Sequence, residues 1–306
     1  MPKLNTTIEN IFTSAGIPAS DLSPASSSSG VVTQLSTGKQ FFTKTQSDVV
    51  QMRGEVAGLR AMAATSHALV PEVIGFEISH NGNSSSMVSQ WFDLSSARGG
   101  HTQRGLGKKI AEMHAIPPKE MWEEIGYTGK YGFGVKTHCG VSEQDNGWNE
   151  DWEGFWRDQR LGFLVQKIGD KNISSLFEQL KSKAIPLLLS PGSFSPPPKP
   201  VINHGDLWSG NAGYDESTSE PVIFDPASYW GHHESDLGVT HMFGGFTPEF
   251  YEEYHKIHPR SSPNYDERQK LYELYHHLNH TFMFGGAYRS GTERIMRDLI
   301  AWADKQ

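Results

Sequence analysis

Apolar positions in the first 95 residues follow the spacing of a small sheet that carries one helix. The runs that favour strands are 31–35, 40–43, 72–79 and 87–92. Between the second and third of these, apolar side chains recur at helical spacing over 48–63, with Ser47 as the expected N-cap. Lys44 directly follows the second strand, and Glu55 lies on the inward edge of the helix.

Beyond residue 95 the pattern changes to amphipathic helices. The apolar stripes that predict them lie within 106–113, 152–164, 173–184, 271–282 and 295–302. Two short apolar strands interrupt this helical half, at 200–202 and 222–224, and they enclose the polar loop 203–211. We therefore predict an α+β protein whose polar loop reaches the surface at the end of a small sheet.

Composition and charge narrow the range of partners. The 306 residues include 36% apolar and 20% charged side chains, and the formal net charge is -8. This charge disfavours nucleic acid and anionic membrane as partners. The single cysteine, Cys139, excludes an internal disulfide or a multi-thiolate metal site, and we expect it to be a buried thiol. No signal-peptide pattern opens the chain, so we expect a cytoplasmic protein. We also expect a monomer.

The polar loop carries the residue types that phosphoryl transfer requires. Asp206 and Asn211 lie five positions apart in the loop HGDLWSGN, and Asp225 follows at a strand end. One carboxylate can orient and deprotonate an attacking hydroxyl, and oxygen donors can hold Mg²⁺ on nucleotide phosphates. We assign Asp206 to the first role, and Asn211 and Asp225 to the second.

The smaller half supplies the remaining parts of that template. The template requires a lysine that contacts the nucleotide phosphates and a glutamate on the next helix that holds this lysine. Lys44 and Glu55 match these two requirements. The serine-rich stretch 26–30, which ends in Gly30, is a weaker candidate for covering the phosphates. The order of these parts along the chain is that of a protein-kinase-like fold, with ATP and Mg²⁺ as cofactors.

Longer motifs point to one family. The chain resembles the fructosamine/ketosamine-3-kinase family over nearly its whole length. The stretches that carry the resemblance are HGDLWSGN, FDPASYWGHHESDLG, QDNGWNEDW, GLGKKIAEMH, LYELYHHLNH and FGGAY. The loop pattern alone would also admit choline, aminoglycoside and homoserine kinases, whereas the continuation after Asp225 is more specific.

The resemblance implies ATP-dependent phosphorylation of the 3-hydroxyl of a sugar–amine adduct on lysine, which leads to deglycation. It implies two lobes, 1–94 with an antiparallel sheet and 95–306 mostly helical. The roles assigned to Asp206, Asn211, Asp225, Lys44 and Glu55 carry over to matching positions. The stretch 87–94 matches the hinge that holds adenine, with Gln90 and Phe92 as nucleotide contacts.

The cationic amine of a ketosamine should meet carboxylates or aromatic faces. Near the catalytic loop in sequence, Trp208, Trp230, Glu234 and Asp236 could supply them, with structural roles equally open. Glycated proteins and small ketosamines are both possible substrates. Among the sugars the resemblance slightly favours ribulosamine. Gln90-Trp91 departs from the usual hinge pattern of an acid and an aromatic residue, which leaves nucleotide preference open.

Two other classes of protein remain open at this point. His204, Asp206, Asp225 and His232 could be the metal ligands of a hydrolase, because imidazole and carboxylate suit transition metals. A kinase-like binding module without activity is the other alternative. The complete set of predicted kinase residues argues against it.

Overall fold

The smaller part of the fold is a four-stranded antiparallel sheet with helices packed against it. The computed structural model describes residues 4–23, 30–66, 68–95 and 99–306. The strands are β1 (Val31–Thr33), β2 (Gln40–Gln46), β3 (Val73–Ile78) and β4 (Ser85–Gln90), in the order β1-β2-β4-β3. Lys44 lies within β2, opposite Met87 of β4, rather than just after the strand as predicted.

Helix α2 (Val49–Ala63) confirms the predicted helix, with one correction at its start. Asp48, and not Ser47, is the N-cap, and its side chain accepts a hydrogen bond from the backbone N–H of Gln51. A carboxylate at this position also interacts favourably with the helix dipole. Glu55 faces inward from α2, as its place on the apolar edge predicted.

A second helix on this sheet was missed in the sequence. Helix α1 (Thr6–Ser14) begins after the N-cap Asn5 and packs Ile8, Ile11 and Phe12 against the sheet. The ring of Phe12 meets Phe41 edge to face, with centroids 5.1 Å apart. These apolar residues have the i, i+3, i+4 spacing of a buried helical face, so the signal was present in a short segment.

The larger part is mostly helical, as predicted. Its α-helices are α3 (Gly100–Met113), α4 (Trp122–Ile125), α5 (Trp152–Gly154), α6 (Phe163–Ile168), α7 (Lys171–Leu189), α8 (Pro248–Ile257), α9 (Tyr265–Phe284) and α10 (Gly286–Ala303). A π-helical segment, Phe155–Gly162, joins α5 to α6. Its Arg160 is buried between the rings of Phe155 and Tyr229, with centroid distances of 4.4 and 4.3 Å.

Short strands within the helical part position the polar loop. The remaining strands are β5 (Leu94–Ser95), β6 (His138–Cys139), β7 (Ser142–Glu143), β8 (Val201–Asn203), β9 (Ala212–Asp215), β10 (Glu220–Ile223) and β11 (Tyr229–Gly231). β8 pairs with β11, and β9 pairs with both β10 and β5. The polar loop therefore runs from the end of one small sheet to the start of another.

The apolar residues are distributed among many helices and strands rather than concentrated in one long helix. Within the ranges that the structure describes, no helix combines the length and the apolar character needed to cross a membrane.

Close packing of α3 on α8 depends on a glycine. A Cβ on Gly107 would lie 2.2 Å from the backbone oxygen of Phe250, whereas a Cβ on Gly105 would make only an ordinary 3.6 Å contact with Pro221. We predict that Gly107→Ala destabilises the protein by about 1–3 kcal/mol, because backbone must move to admit the methyl group.

The matched control is Gly105→Ala in the same helix. It should be neutral or stabilising by up to about 1 kcal/mol, because alanine has the higher helix propensity. Denaturant unfolding of both variants measures the difference. Equal stability of the two variants would show that the contact between the helices does not require Gly107.

Candidate active site

The polar loop begins with a turn that only glycine fits. Gly205 has a φ of +81°, and a Cβ there would lie 2.1 Å from the backbone oxygen of Ala227. Next to it, His204 accepts a hydrogen bond at Nδ1 from the backbone N–H of Asp206 (3.2 Å). Its Nε2–H therefore donates to the oxygen of Phe224 (2.9 Å). Burial lowers the pKa of His204, so its imidazole is neutral. The two hydrogen bonds of this imidazole hold the start of the loop in place.

Asp236 holds the loop from behind, and its predicted contact with substrate is wrong. Its side chain is buried, and its two oxygens accept the backbone N–H groups of His204 and Gly205, each at 2.7 Å. His114 also contacts it (3.1 Å) and in turn meets the hydroxyl of Tyr254. Burial alone would raise the pKa of Asp236, but these hydrogen bonds keep it below its ordinary value. The carboxylate has no free face for a ligand.

Asp206 is oriented by Asn211 on one side. The Asn211 amide donates to the backbone oxygen of Asp206 (3.0 Å) and to its Oδ2 (3.3 Å). Burial raises the pKa of Asp206 to about 6, although the neighbouring thiol of Cys139 and the Asn211 amide partly oppose this shift. The side chain keeps 19% of its surface exposed. Asp206 can therefore both reach a substrate and accept a proton near neutral pH.

Asp225 faces Lys44, and this contact joins the smaller and the larger part of the fold. The Nζ of Lys44 lies 2.8 Å from Glu55 Oε2 and 3.3 Å from Asp225 Oδ1. Burial opposes the charge of Lys44, but the two carboxylates raise its pKa above the ordinary value. Asp225 has a φ of +54°, which is strained for a residue with a side chain. This backbone conformation follows β10, and the Asn211 amide lies 3.5 Å from its carbonyl oxygen.

A cleft of about 320 Å³ opens beside this ion pair. Apolar side chains from both parts of the fold line most of it, and the carboxylates of Glu55 and Asp225, both paired with Lys44, line it as well. Gln90 and Phe92, expected to contact nucleotide, both line the cleft. A mostly apolar cleft lined also by charged groups suits an aromatic ring that carries a polar group.

The structure describes only the end of the expected phosphate-covering loop. Residues 26–29 of that loop lie outside the described residues. Gly30, with a φ of +62°, accepts hydrogen bonds at its carbonyl oxygen from the backbone N–H and hydroxyl of Thr43, at 2.6 and 2.9 Å. Gly30 therefore lies beside the strand position that precedes Lys44.

The two tryptophans expected at the substrate occupy different environments. Trp208 is 38% exposed and meets Phe243 edge to face, with centroids 5.8 Å apart, so it stays available to a ligand. Trp230 is fully buried and packs on Tyr127, with centroids 4.7 Å apart. The prediction that Trp230 contacts substrate is therefore wrong, because its ring is part of the core.

Glu234 was also expected at the substrate, and the structure corrects this as well. Its side chain is fully buried, and its oxygens accept hydrogen bonds from Arg268 Nε (2.9 Å) and the backbone N–H of Ser261 (2.8 Å). A buried carboxylate whose oxygens are already paired with a guanidinium stabilises the fold and has no surface for a ligand.

The chain is similar to known proteins in sequence and in fold. The sequence profile of the family described as fructosamine kinase matches residues 19–302. The chain is 36% identical to the protein-ribulosamine 3-kinase, chloroplastic, of Arabidopsis thaliana, over 85% of this chain and 76% of that protein. It is 35% identical to the ketosamine-3-kinase of Mus musculus, over 80% and 82%.

The chain belongs to the fructosamine kinase family. Among solved structures, a candidate fructosamine-3-kinase from Haemophilus somnus 129PT matches with a TM-score of 0.76 and 24% identity, over 96% of both chains. The aminoglycoside phosphotransferase APH(4)-Ia in complex with ADP and hygromycin B matches at 0.60 and 12%, over 97% of this chain and 98% of that one. These likenesses confirm the bilobal, protein-kinase-like α+β fold.

The residues expected to bind a metal ion in the alternative hydrolase are not arranged as a metal site. Among the described residues, the four expected hydrolase ligands do not form a cluster of potential metal ligands. His204 is engaged with Phe224 and Asp206, and His232 contacts the hydroxyl of Tyr272 (2.9 Å).

Two neighbours of Asp206 were missed as site residues. Cys139 and His276 both come within 4.8 Å of it, and both are far from it in sequence. Their positions in CG and HHLNH stretches gave no chemical reason to connect them with the catalytic loop.

The buried pair of Glu234 and Arg268 provides a test of the corrected role. We predict that Glu234→Ala lowers the free energy of unfolding by about 3–5 kcal/mol, because it leaves a buried guanidinium without its counter-charge. The control is Glu178→Ala, which removes a surface partner of Lys181 and should cost less than about 1 kcal/mol. Denaturant unfolding compares the two. A Glu234→Ala protein of normal stability but weakened ketosamine binding would restore the original expectation.

Proposed function

We propose that this protein is an ATP-dependent ketosamine 3-kinase, which phosphorylates the 3-hydroxyl of ribulosamine- or fructosamine-type adducts on amines. The observation that carries the proposal is the series of contacts that links Asp206 through Asn211 to Asp225 and Lys44, in a chain of the fructosamine kinase family. Relatives that share about a third of its residues are named ribulosamine and ketosamine 3-kinases.

Asp206 would act as the catalytic base. Its Oδ2 is oriented by Asn211, and its partial exposure lets a substrate hydroxyl approach. In a loose transition state the hydroxyl becomes acidic only when bond formation is advanced, so a carboxylate suffices as proton acceptor. The raised pKa of Asp206 makes it a better acceptor than an ordinary aspartate.

Asn211 and Asp225 have the donor chemistry of a Mg²⁺ site. The Asn211 amide nitrogen is used within the loop, which leaves its oxygen as the ligand atom, and the side chain of Asp225 is 57% exposed. When bound with ATP, Mg²⁺ would neutralise negative charge that develops on the phosphates. Lys44, held by Glu55, would direct its charge toward the same phosphates.

The cleft beside Lys44 would take the nucleotide base. Gln90 and Phe92 line it, and Gly30, the last residue of the expected phosphate-covering loop, lies beside Thr43 of β2. In this arrangement residues 1–94 form the smaller lobe and residues 95–306 the larger one. ADP is bound in the APH(4)-Ia complex of the same fold, which supports ATP as the phosphate donor.

Trp208 is the remaining substrate contact from the sequence prediction. It follows Asp206 closely, and its exposed ring can pack against the sugar or its cationic amine. We propose that ketosamines on lysine, free or within glycated proteins, are the substrates of a monomeric, cytoplasmic enzyme. No nucleic acid takes part.

The direct test is incubation with Mg-ATP and a panel of ribulosamine, erythrulosamine, psicosamine and fructosamine adducts. ADP release and loss of the adduct are measured for each, and we expect the highest kcat/KM with ribulosamines. Choline and an aminoglycoside serve as acceptors for the related kinase classes. Turnover of either of these, with none of any ketosamine, would replace the proposal.

The roles of the two aspartates can be separated by substitution. Asp206→Asn should lower kcat by about 10²–10⁴-fold, because it removes the proton acceptor, and should leave Mg-ATP affinity nearly unchanged. Asp225→Ala should weaken Mg-ATP binding by about tenfold or more, because it removes a metal ligand. Calorimetric titration and steady-state kinetics measure both, with the surface variant Asp304→Asn as control. Equal loss of Mg-ATP affinity in both variants would contradict this division of roles.

The pKa of Asp206 predicts a pH dependence. Only the ionised carboxylate accepts a proton, so kcat/KM should fall about tenfold per pH unit below about 6 and level off above 7. An ordinary aspartate would keep its activity down to about pH 4. Mg-ATP binding measured over the same range serves as the control. Full activity at pH 5 would show that Asp206 is not the group whose ionisation matters.

A further inference from the structure

The two oxygens of Asp206 face different neighbours. Oδ2 meets the Asn211 amide, whereas Oδ1 lies 3.9 Å from Nδ1 of His276 on α9. Cys139, at the end of β6, completes this second group. One sulfur, one nitrogen and one oxygen atom thus all lie within 4.8 Å of one another. None of the kinase roles proposed above uses Cys139 or His276.

His276 offers a free ligand atom in this group. Its side chain is 3% exposed, and its Nδ1 is buried without a hydrogen-bond partner in the part of the chain that the structure describes. Burial lowers the pKa of His276 to about 3, so the imidazole is neutral. Buried polar atoms normally have a hydrogen-bond partner. Because Nδ1 of His276 lies near a carboxylate and a thiol, a metal ion or a water molecule among these three groups would supply that partner.

The three donors together suit a borderline-soft divalent cation. Thiolate, imidazole and carboxylate are the ligands of Zn²⁺ and its relatives, whereas Mg²⁺ prefers oxygen alone. Zinc bond lengths place tetrahedral ligand atoms roughly 3.3–3.7 Å apart. The oxygen of Asp206 and the nitrogen of His276 are 3.9 Å apart, and the Cys139 sulfur lies within 4.8 Å of both, so binding a metal ion requires these side chains to move closer together. The exposed part of Asp206 leaves a side open for water as fourth ligand.

We propose that Cys139, Asp206 and His276 form a binding site for a transition-metal ion of the Zn²⁺ class, and that occupancy of this site inhibits the enzyme. As the bond from the cysteine sulfur to the metal forms, the thiol proton passes to solvent. Oδ1 of Asp206 becomes a metal ligand, and the carboxylate loses its capacity to accept a proton from substrate. The inhibition rests on the proposed function of Asp206, whereas the binding does not.

Co²⁺ is the probe for binding, because thiolate ligation produces a charge-transfer absorbance in the near ultraviolet. Cys139 is the one cysteine of the chain, so this absorbance has a single source. We expect one equivalent of Co²⁺ to produce it and added Zn²⁺ to abolish it. It should be absent in Cys139→Ser, and the Co²⁺ affinity should fall at least tenfold in His276→Gln. His277→Gln, next on the same helix and paired with Glu273, is the matched control.

The activity arm measures ADP release at saturating Mg-ATP with increasing Zn²⁺. The Zn²⁺ concentration for half inhibition should rise at least tenfold in Cys139→Ser and in His276→Gln, relative to His277→Gln. Equal inhibition of all the proteins would place the inhibitory ion elsewhere and overturn the proposal. Absence of a thiolate absorbance in the wild-type protein would overturn it without any variant. A protein that binds Co²⁺ through Cys139 but phosphorylates no ketosamine would retain the metal site and refute the kinase function.

Discussion

The active site depends on one buried carboxylate that never reaches the solvent. Asp236 accepts the backbone N–H groups of His204 and Gly205, and this holds the start of the polar loop in a conformation that a residue with a side chain would resist. Two charge-assisted hydrogen bonds to adjacent amides are strong because little water competes for them. His114 closes the remaining side of Asp236. The position of Asp206, one residue further along the loop, follows from this anchor.

Around that anchor the protein keeps unfavourable features that a purely structural loop would avoid. Asp206 is a half-buried carboxylate with a raised pKa, and Asp225 has a left-handed backbone conformation. Such strain persists only where the surroundings overdetermine it. Here the surroundings are the neutral His204, the amide of Asn211 and the ion pair of Lys44 with Glu55, which come from both parts of the fold. The cost in stability is concentrated at the residues that we propose to bind the phosphates and to accept a proton.

Nearness in sequence was a poor guide to substrate contact. Trp208, Trp230, Glu234 and Asp236 all lie close to Asp206 and Asp225 along the chain, yet only the exposed ring of Trp208 remains available to a ligand. The side chains of Trp230, Glu234 and Asp236 are buried after Asp225: Asp236 holds the polar loop, and Glu234 pairs with Arg268. A carboxylate or an indole can either contact a substrate or form hydrogen bonds inside the protein, and whether the side chain is exposed or buried determines which role it has.

The class of the fold, many of its helices and strands, and the residues Lys44, Asp206, Asn211 and Asp225, which the structure links by a series of contacts, could be predicted from the sequence. Periodicity and local motifs carry that information, because they depend on residues close together in the chain. Tertiary structure alone decided which polar groups are buried and that Cys139 and His276 flank Asp206. They reach it from separate elements, β6 and α9, and their positions depend on how the elements pack rather than on any local pattern.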